Sequence, residues 1–322
     1  MKPRLHFAHL PTPVESMPRA AASLKGPRLL VKRDDQTGLA FGGNKTRKLE
    51  YLVAEAREQG AEMLISAGAV QSNHCRQTVA AASRFGFDCI LVLFGDPPEH
   101  PDGNHLLHYL LGAEIIYTNR EEMESKLEEI YRKAQLDGRK PYLIPYGGSN
   151  QTGALGYVNA MLELAEQGVE PDWIIFPSSS GGTQAGMLVG ARMSGYGGKI
   201  LGISVDEPAD NLTSRVAALA TRTAAFIEKD WHFSADEVLV NDAYTGGGYG
   251  VMGKPEIEAI QLFAEREALL LDPVYTGRAA AGMIDLIRKG HFAPTETVLF
   301  WHTGGGPALF ARKYQDRLLD SW

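Results

Sequence analysis

Short apolar runs alternate with helical patterns along most of this chain, and this alternation constrains its fold more than any other feature. The apolar runs predict buried strands at 63–65, 89–93, 115–117, 142–144, 173–176, 200–205 and 298–301. Apolar residues at helical spacing predict helices at 123–136, 211–229 and 257–267, among others. Strands that alternate with helices of about 10–15 residues are typical of parallel sheets with helices on both faces. The sequence therefore predicts an α/β protein.

Length and charge narrow the function classes. The chain has 322 residues, enough for two domains, and a formal net charge of −7. Nucleic-acid-binding domains usually carry a basic surface, so we expect no nucleic-acid partner. No apolar stretch approaches the ~20 residues of a membrane helix, and we recognise no signal peptide. Because the two cysteines, Cys75 and Cys89, lie in predicted core elements, we expect a cytoplasmic protein without disulfides.

Lys45 follows a glycine pair, Gly42-Gly43, at the predicted start of a helix. Glycines allow a tight turn and a close approach of the backbone to a ligand. The partial positive charge at a helix N-terminus disfavours the ammonium form of a lysine, as nucleophilic amine chemistry requires. A lysine after two glycines is also typical of a solvated turn, so this motif alone leaves both interpretations open.

A serine-rich turn, Ser179-Ser180-Gly181-Gly182-Thr183, connects a predicted strand to a predicted helix. Backbone N–H groups, hydroxyls and the helix dipole at such a turn favour the binding of an anion. The turn lacks the Gly-Lys-Ser/Thr ending of a Walker loop and the spacing of the dinucleotide fingerprint. We therefore predict a phosphate site, with an ordinary strand-to-helix turn as the alternative.

Two further motifs place polar residues beside the ends of predicted elements. Ser72, Asn73 and His74 begin a helix, where they either cap it or form a cup for a carboxylate. Thr303 lies in a glycine-rich turn after the last predicted strand, at the edge where open α/β sheets bind ligands. With the serine-rich turn, the chain has three polar turns at the ends of predicted strands. A single such turn is easily an ordinary connection, but three together favour a binding site.

Two tyrosines late in the chain, Tyr249 and Tyr275, lie in glycine-containing segments. The glycines around Tyr249 suggest a flexible loop that admits a ligand. Tyrosines more often pack at partly buried surfaces, so these two become ligand candidates only in combination with the other motifs.

In combination, these motifs resemble the fold-type II pyridoxal-phosphate enzymes, in particular the branch with L-cysteate sulfo-lyase, D-cysteine desulfhydrase and 1-aminocyclopropane-1-carboxylate deaminase. The matching segments run in order over nearly the whole chain: GGNKTRKLEYL, AVQSNHCRQT, SSSGGTQAGM, LLLDPVYTGRAAAGMI and WHTGGGPALF. The resemblance implies two open, twisted parallel-sheet domains of the tryptophan synthase β type. It assigns 1–48 and 157–322 to a large cofactor domain and 49–156 to a small domain, and it implies a homodimer.

The resemblance also implies a role for each motif. Lys45 would bind the aldehyde of pyridoxal 5′-phosphate and later move protons at a small amino-acid substrate. The other implied roles are phosphate binding by Ser179, Ser180, Gly181, Gly182 and Thr183, contact with the phenolic oxygen of the cofactor by Asn73, substrate binding by Ser72, Asn73 and His74, and lining of the substrate side by Tyr249 and Tyr275. Lys45, Ser72, Tyr249 and Tyr275 form the expected catalytic group, and no metal ion is expected.

One position departs from the pattern of the deaminase. The deaminase has a glutamate after the second tyrosine, which serves the pyridine nitrogen, whereas this chain has Thr276 there. Thr303 is a second hydroxyl candidate for that nitrogen. A hydroxyl leaves the nitrogen unprotonated and the ring a weaker electron sink, which suits β-elimination better than the opening of a cyclopropane. We therefore expect a carbon–sulfur lyase in preference to the deaminase.

The segment 36–40, before the lysine motif, is closer to the sulfo-lyase pattern, so L-cysteate is the preferred substrate and D-cysteine the alternative. Cysteate carries a second anion, for which the expected donors are the helix start at 72–74 and the hydroxyls of Tyr249 and Tyr275, with added charge from His74 if it is protonated. A protein that binds the cofactor without catalysis is disfavoured because the substrate-side residues are present. A dehydrogenase is disfavoured because the dinucleotide fingerprint is absent.

Overall fold

The computed structural model describes residues 2–320, and these form two β-sheets surrounded by α-helices. The strands are β1 Val14–Ser16, β2 Arg28–Arg33, β3 Met63–Ala69, β4 Asp88–Phe94, β5 Glu114–Thr118, β6 Pro141–Leu143, β7 Trp173–Ser178, β8 Lys199–Ser204, β9 Leu239–Asn241 and β10 Thr297–His302. The helices are α1 Pro18–Leu24, α2 Asn44–Glu58, α3 Asn73–Phe85, α4 Gly103–Leu110, α5 Met123–Leu136, α6 Gln151–Glu166, α7 Gly182–Ser194, α8 Ala209–Phe226, α9 Lys254–Glu267, α10 Thr276–Arg288 and α11 Arg312–Leu319.

The larger sheet has six strands in the order β1-β2-β10-β7-β8-β9. All neighbouring strands are parallel except β1 and β2, and Phe300 of β10 lies between Val31 of β2 and Ile175 of β7. Ile175 packs into a hydrophobic cluster with residues of α9 and α10, whereas its neighbour Ile174 packs into another with residues of α6 and α7. The sheet is therefore buried by helices on both faces, as expected for parallel strands.

The smaller sheet has four parallel strands in the order β5-β4-β3-β6. Leu64 of β3 packs in a cluster with Leu52 of α2 and Val79 of α3. Its neighbour Ile65 packs on the other face, in a cluster that includes Ile130 of α5. The prediction of an α/β fold with parallel sheets and helices on both faces is confirmed.

The seven strands predicted from apolar runs are all present, but β1, β2 and β9 were not predicted. β2 was missed because it ends in two charged residues, Lys32-Arg33, which interrupt its apolar run. Lys32 is nevertheless fully buried and forms an ion pair with Glu163 at 2.6 Å. β1 and β9 have only three residues each, too few for a period-two pattern to be visible.

Each of the three polar turns selected from the sequence directly follows the carboxyl end of a strand, one in the small sheet and two in the large sheet. β3 leads into the start of α3, β7 into the start of α7, and β10 into the glycine-rich turn at 303–306. The strands of the small sheet all lie within the predicted small domain, but both predicted boundaries fall inside helices, α2 and α6, that pack against each other. The division at 49 and 157 stays a prediction. Across residues 2–320, no helix combines the length and apolarity needed to cross a membrane.

Candidate active site

A cleft opens where β3, β7 and β10 end. Ten of the predicted site residues line it: Lys45, Ser72, Asn73, His74, Ser179, Ser180, Gly181, Thr183, Tyr275 and Thr303. Gly182, Tyr249 and Thr276 lie outside this lining. The lining also contains residues that the sequence analysis did not select: Asn44, Tyr146, Gly147, Pro177, Ser178 and Gly304.

Lys45 is the second residue of α2, and its ammonium donates a hydrogen bond to the carbonyl oxygen of Gly147 at 3.1 Å. No carboxylate within the described part of the chain forms an ion pair with it. Burial lowers the pKa of Lys45 to about 8. A substantial fraction of this amine is therefore neutral near pH 8, which is the form that attacks an aldehyde.

The turn before Lys45 requires glycine. Gly43 has a φ of +124°, and its N–H donates to the carbonyl oxygen of Asp34 at 2.9 Å. A Cβ at Gly43 would lie 2.5 Å from the side-chain nitrogen of Gln77, and one at Gly42 would collide with the carbonyl oxygen of Asp35. The close approach of these backbones places the start of α2 directly at the cleft.

A buried charge cluster around Asp34 fixes the same helix. Arg47 donates from Nε to both carboxylate oxygens of Asp34 and from Nη2 to Oδ1, at 2.8–3.0 Å, and Tyr157 and Trp301 donate to Oδ2 at 2.6 and 2.8 Å. Burial alone would raise the pKa of Asp34, but the charge and hydrogen bonds of Arg47 hold it below its ordinary value. This cluster joins β2, α2, α6 and β10, so it holds Lys45 on a rigid support.

The serine-rich turn presents a helix N-terminus to the cleft. Gly181 precedes α7 with a φ of +85°, and the N–H of Gly182 donates to Ser149 Oγ at 3.2 Å. Ser180 Oγ lies 2.8 Å from Ser149 Oγ, and Asn44 donates to Thr183 Oγ1 at 3.2 Å. The other N–H groups and the hydroxyls at the start of this 13-residue helix suit an anion.

Lys48 was not selected from the sequence, although it lies one turn after Lys45 on the same face of α2. Its ammonium is fully buried and donates to the carbonyl oxygen of Gly147 at 3.1 Å and to Ser149 Oγ at 3.5 Å. Burial, followed by the charge of Lys45, lowers its pKa well below the ordinary value. Ser149 also contacts Ser180 of the serine-rich turn. An anion bound at this turn would therefore give the Lys48 ammonium an oppositely charged neighbour.

A hydrogen-bond chain orients Asn73 at the start of α3. Arg76 Nη1 donates to Asn104 Oδ1 at 3.2 Å, and Asn104 Nδ2 donates to Asn73 Oδ1 at 2.8 Å. The oxygen of Asn73 is thus occupied, and its amide NH₂ lies so close to Gly305 that a Cβ there would be only 2.7 Å away. Asn73 is therefore held as a donor at the cleft, the orientation needed to meet a phenolic oxygen.

Both interpretations of Ser72 agree with its position. Its Oγ accepts a hydrogen bond from the N–H of Cys75 at 3.2 Å, which makes Ser72 the N-cap of α3. The residue also lines the cleft. The hydroxyl proton of Ser72 remains free to be donated to an anion at this helix start.

His74 lies in the cleft, where its surroundings disfavour the protonation that would let it add charge. Burial, followed by the charges of Lys45 and Lys48, lowers its pKa well below 6.5. Its Nε2 lies 2.9 Å from the oxygen of Ser66, whose own proton is donated to the carbonyl of Ile144. His74 is therefore a neutral imidazole that donates from Nε2, and the charge for a second substrate anion has to come from elsewhere.

The two tyrosines form one unit, with their hydroxyl oxygens 2.8 Å apart and their rings packed edge to face. Tyr275 lines the cleft, and Tyr249 lies behind it. Burial raises the pKa of both hydroxyls well above 10, so both keep their protons at neutral pH. The pair can donate one hydrogen bond into the cleft while the other hydroxyl supports it.

Thr303 and Thr276 differ in their environment. Thr303 lines the cleft, and within residues 2–320 its hydroxyl makes no hydrogen bond. Thr276 is fully buried, and its hydroxyl donates to Oδ1 of Asp272 at 2.8 Å. The placement of Thr276 as a cofactor contact is therefore not supported, whereas Thr303 keeps a free hydroxyl at the cleft.

Comparison with known proteins adds to this geometry. The sequence model of a family described as "Pyridoxal-phosphate dependent enzyme" matches residues 5–304. The crystal structure of an ACC deaminase homologue shares 38% sequence identity with this chain and has a TM-score of 0.91, with 99% of this chain and 96% of that chain covered.

Two more distant structures share the fold. A fungal L-serine ammonia-lyase from Rhizomucor miehei has 17% identity and a TM-score of 0.72, with 98% of this chain and 99% of that chain covered. A pyridoxal 5′-phosphate-dependent aspartate racemase has 19% identity and a TM-score of 0.66, with 91% of this chain and 90% of that chain covered.

Proposed function

Because this chain belongs to the pyridoxal-phosphate-dependent enzyme family, we propose that it uses this cofactor for β-elimination from a small sulfur-containing amino acid. The substrate that we propose is L-cysteate, and the products are sulfite, pyruvate and ammonia. In this reaction the Cα–H and Cβ–S bonds break, sulfite leaves, and the resulting enamine is hydrolysed.

The residues of the cleft fit the cofactor at each of its polar groups. Lys45 has a lowered pKa and no acidic partner, which suits covalent attachment to an aldehyde. The start of α7, with Ser180, Thr183 and the nearby Lys48, would hold the phosphate. Asn73 would donate to the phenolic oxygen, and Thr303 would meet the pyridine nitrogen.

When bound, pyridoxal phosphate supplies an electron sink for the pair left behind by the α-proton. Lys45 would take that proton, because its amine is held close to the cofactor site and has a pKa of about 8. Ser72 and the free N–H groups at the start of α3 would bind the substrate carboxylate. Tyr275, protonated and supported by Tyr249, would donate to the leaving group.

The observation that carries this proposal is that the cleft lining offers hydroxyls and no carboxylate. Thr303 lines the cleft, and among the described residues of that lining there is no Asp or Glu. A hydroxyl leaves the pyridine nitrogen unprotonated, which limits how strongly the ring withdraws electrons. Elimination of a good leaving group requires less electron withdrawal by the ring than the opening of a cyclopropane does. The deaminase reaction is therefore the weaker candidate.

A second candidate, elimination of sulfide from D-cysteine, is favoured by one observation. His74 is neutral, so Lys45 is the only lysine, arginine or histidine with an accessible charge among the described residues that line the cleft. Cysteine carries no second permanent anion and does not require another cation.

A substrate panel separates the candidates. Purified holoenzyme would be incubated with L-cysteate, D-cysteine, L-cysteine and 1-aminocyclopropane-1-carboxylate, while sulfite, sulfide, pyruvate and ammonia are measured. A Lys45→Ala variant serves as the control for background reactions. Sulfite and pyruvate released in equal amounts from L-cysteate support the proposal. Sulfide from D-cysteine without turnover of L-cysteate would replace it with the second candidate.

A further inference from the structure

Arg120 links the segment after β5 to the segment after β8, through Asp206, which also contacts the cleft residue Ser179. It follows β5 of the small sheet by two residues, and its side chain is 56% exposed. Its Nη2 donates to Oδ2 of Asp206 at 3.0 Å, and Asp206 follows β8 of the large sheet by two residues. Asp206 is nearly buried and also accepts a hydrogen bond from Ser179 Oγ at 2.9 Å, so it anchors the guanidinium beside the serine-rich turn.

The guanidinium of Arg120 also lies over two aromatic rings, Tyr249 and Phe94. Its central carbon lies 5.5 Å from the ring centre of Tyr249 and 5.7 Å from that of Phe94. Tyr249 is hydrogen-bonded to Tyr275, which lines the cleft. The tyrosine pair therefore connects Arg120 to the side of the cleft on which we place the leaving group of the substrate.

The hydrogen bonds of Arg120 leave room for a ligand. Asp206 occupies one edge of the guanidinium through Nη2, whereas Nε and Nη1 have no hydrogen-bond acceptor within residues 2–320. A guanidinium presents five N–H donors in a planar fork that suits oxyanions, and it can hold two anions on different edges. Asp206 thus restrains Arg120 while the Nε and Nη1 donors of Arg120 stay available to an anion.

The charge of the proposed substrate requires a cation with free donors, such as Arg120, near the cleft. L-cysteate carries a carboxylate and a sulfonate against one ammonium, so the helix start at Ser72 can satisfy only one of its two anions. His74 is neutral, and Lys48 is buried beside the phosphate-binding turn. Arg120 is the exposed cation that remains in contact with the tyrosine unit.

We propose that Arg120 binds the anionic leaving group of the substrate and makes the site selective for amino acids with an acidic side chain. This inference rests on the proposed function and deepens it, because it names the residue that recognises the sulfonate. Asp206 acts as a positioning residue that holds Arg120 over the Tyr249 ring. A side chain with a neutral leaving group does not require Arg120.

The test compares Arg120→Met and Arg120→Lys holoenzymes with wild type. Arg132→Met is the matched control, because Arg132 is an exposed arginine of the same part of the chain, paired with Glu128 and remote from the cleft. Steady-state kinetics would be measured with L-cysteate and with β-chloro-L-alanine, whose leaving group is neutral before elimination. The affinity for L-cysteate would also be measured from the change in cofactor absorbance, which does not depend on turnover.

The expected result is a loss of L-cysteate affinity of about 10- to 100-fold in Arg120→Met, with partial recovery in Arg120→Lys. The kinetic constants for β-chloro-L-alanine should stay within about twofold of wild type, as should all constants of Arg132→Met. An equal loss for both substrates, or no loss for L-cysteate, would overturn the inference.

Two further results separate the failure of this inference from the failure of the proposed function. If wild type releases sulfite but Arg120→Met binds L-cysteate normally, the inference is wrong and the function stands. If wild type binds L-cysteate through Arg120 without releasing sulfite, the function is wrong and the inference stands. An Arg120→Met/Asp206→Asn double variant that recovers wild-type affinity would also overturn the inference, because the loss would then come from the unpaired charge of Asp206.

Discussion

The hydroxyl of Thr276 donates to Oδ1 of Asp272 at 2.8 Å and accepts from the backbone N–H of Asp272 at 2.7 Å. Its single proton is therefore committed to a buried carboxylate. The carboxylate is further held by the N–H groups of Val274, Tyr275 and Thr276 at the start of α10. This arrangement makes Thr276 a structural residue of the α10 N-terminus, so Thr303 is the hydroxyl that we propose for the pyridine nitrogen.

Thr303→Val should lower the kcat of elimination by about 10- to 100-fold while the cofactor stays bound, because the hydrogen bond to the ring nitrogen is lost. Thr303→Ser should retain most of the activity, since the hydroxyl is preserved. The measurement is kcat together with the cofactor absorbance spectrum.

Thr276→Val is the matched control for Thr303→Val. It should lower the free energy of unfolding by about 1–3 kcal/mol, because the Asp272 carboxylate loses a buried donor, with a smaller effect on kcat. A larger kcat loss for Thr276→Val than for Thr303→Val would contradict the assignment of Thr303.

The rate at which apoenzyme attaches pyridoxal phosphate should depend on the pKa of Lys45. Burial lowers this pKa to about 8, so the neutral amine fraction rises with pH through about 8 and levels off above about pH 9. Covalent attachment would be followed by absorbance from pH 6 to pH 10, with Nα-acetyl-lysine amide as the control amine of ordinary pKa, ~10.4. A protein rate that still rises about sevenfold between pH 9 and pH 10, as for an amine of ordinary pKa, would show that Lys45 is not desolvated.

The parts of the site that could be predicted from the sequence have local signals. Only Asn44 separates Gly43 from Lys45, and Ser72 is a typical N-cap residue at the start of a helix. The serines of 178–180 likewise follow an apolar strand directly. In each case the residue and the element that positions it are close in sequence, so the pattern predicts both.

The parts that could not be predicted depend on long-range packing. Asn104 orients Asn73 from a position 31 residues away, which only the packing of α4 on α3 makes possible. Asp206 and Arg120 are 86 residues apart and meet across the two sheets. The neutrality of His74 follows from its burial and its lysine neighbours, neither of which the motif around it reveals.

Asn104→Leu should disturb cofactor binding indirectly, because Asn104 does not line the cleft but holds the side chain of Asn73. The variant removes the donor to Asn73 Oδ1 and the acceptor for Arg76 Nη1, so the Asn73 amide is free to rotate. We expect a shift in the absorbance maximum of the bound cofactor and a fall in kcat of about tenfold, with the fold retained. Asn119→Leu, at an exposed loop position, is the control for the loss of an amide. An unchanged spectrum and kcat would show that Asn73 is held by other contacts.

Stability should fall as the pH is lowered below about 6.5, because buried histidines are neutral in the folded chain. Burial lowers the pKa of His108 to about 3, so between about pH 6.5 and pH 3 the unfolded chain binds a proton that the folded chain does not. His108→Gln removes this contribution. Between pH 7.5 and pH 5.5 the variant should lose about 1.4 kcal/mol less than wild type in the free energy of unfolding, measured by urea denaturation. Equal losses in both proteins would show that His108 titrates normally in the folded state.

The attachment site of the cofactor tests the central claim most directly. Holoenzyme would be treated with borohydride, digested, and examined by mass spectrometry for a lysine that carries the reduced pyridoxyl group. The position of Lys45 at the start of α2, with its lowered pKa, predicts one adduct on the peptide that contains Lys45. An adduct on Lys48 or on another lysine, or a protein that retains no cofactor after reduction, would contradict the account.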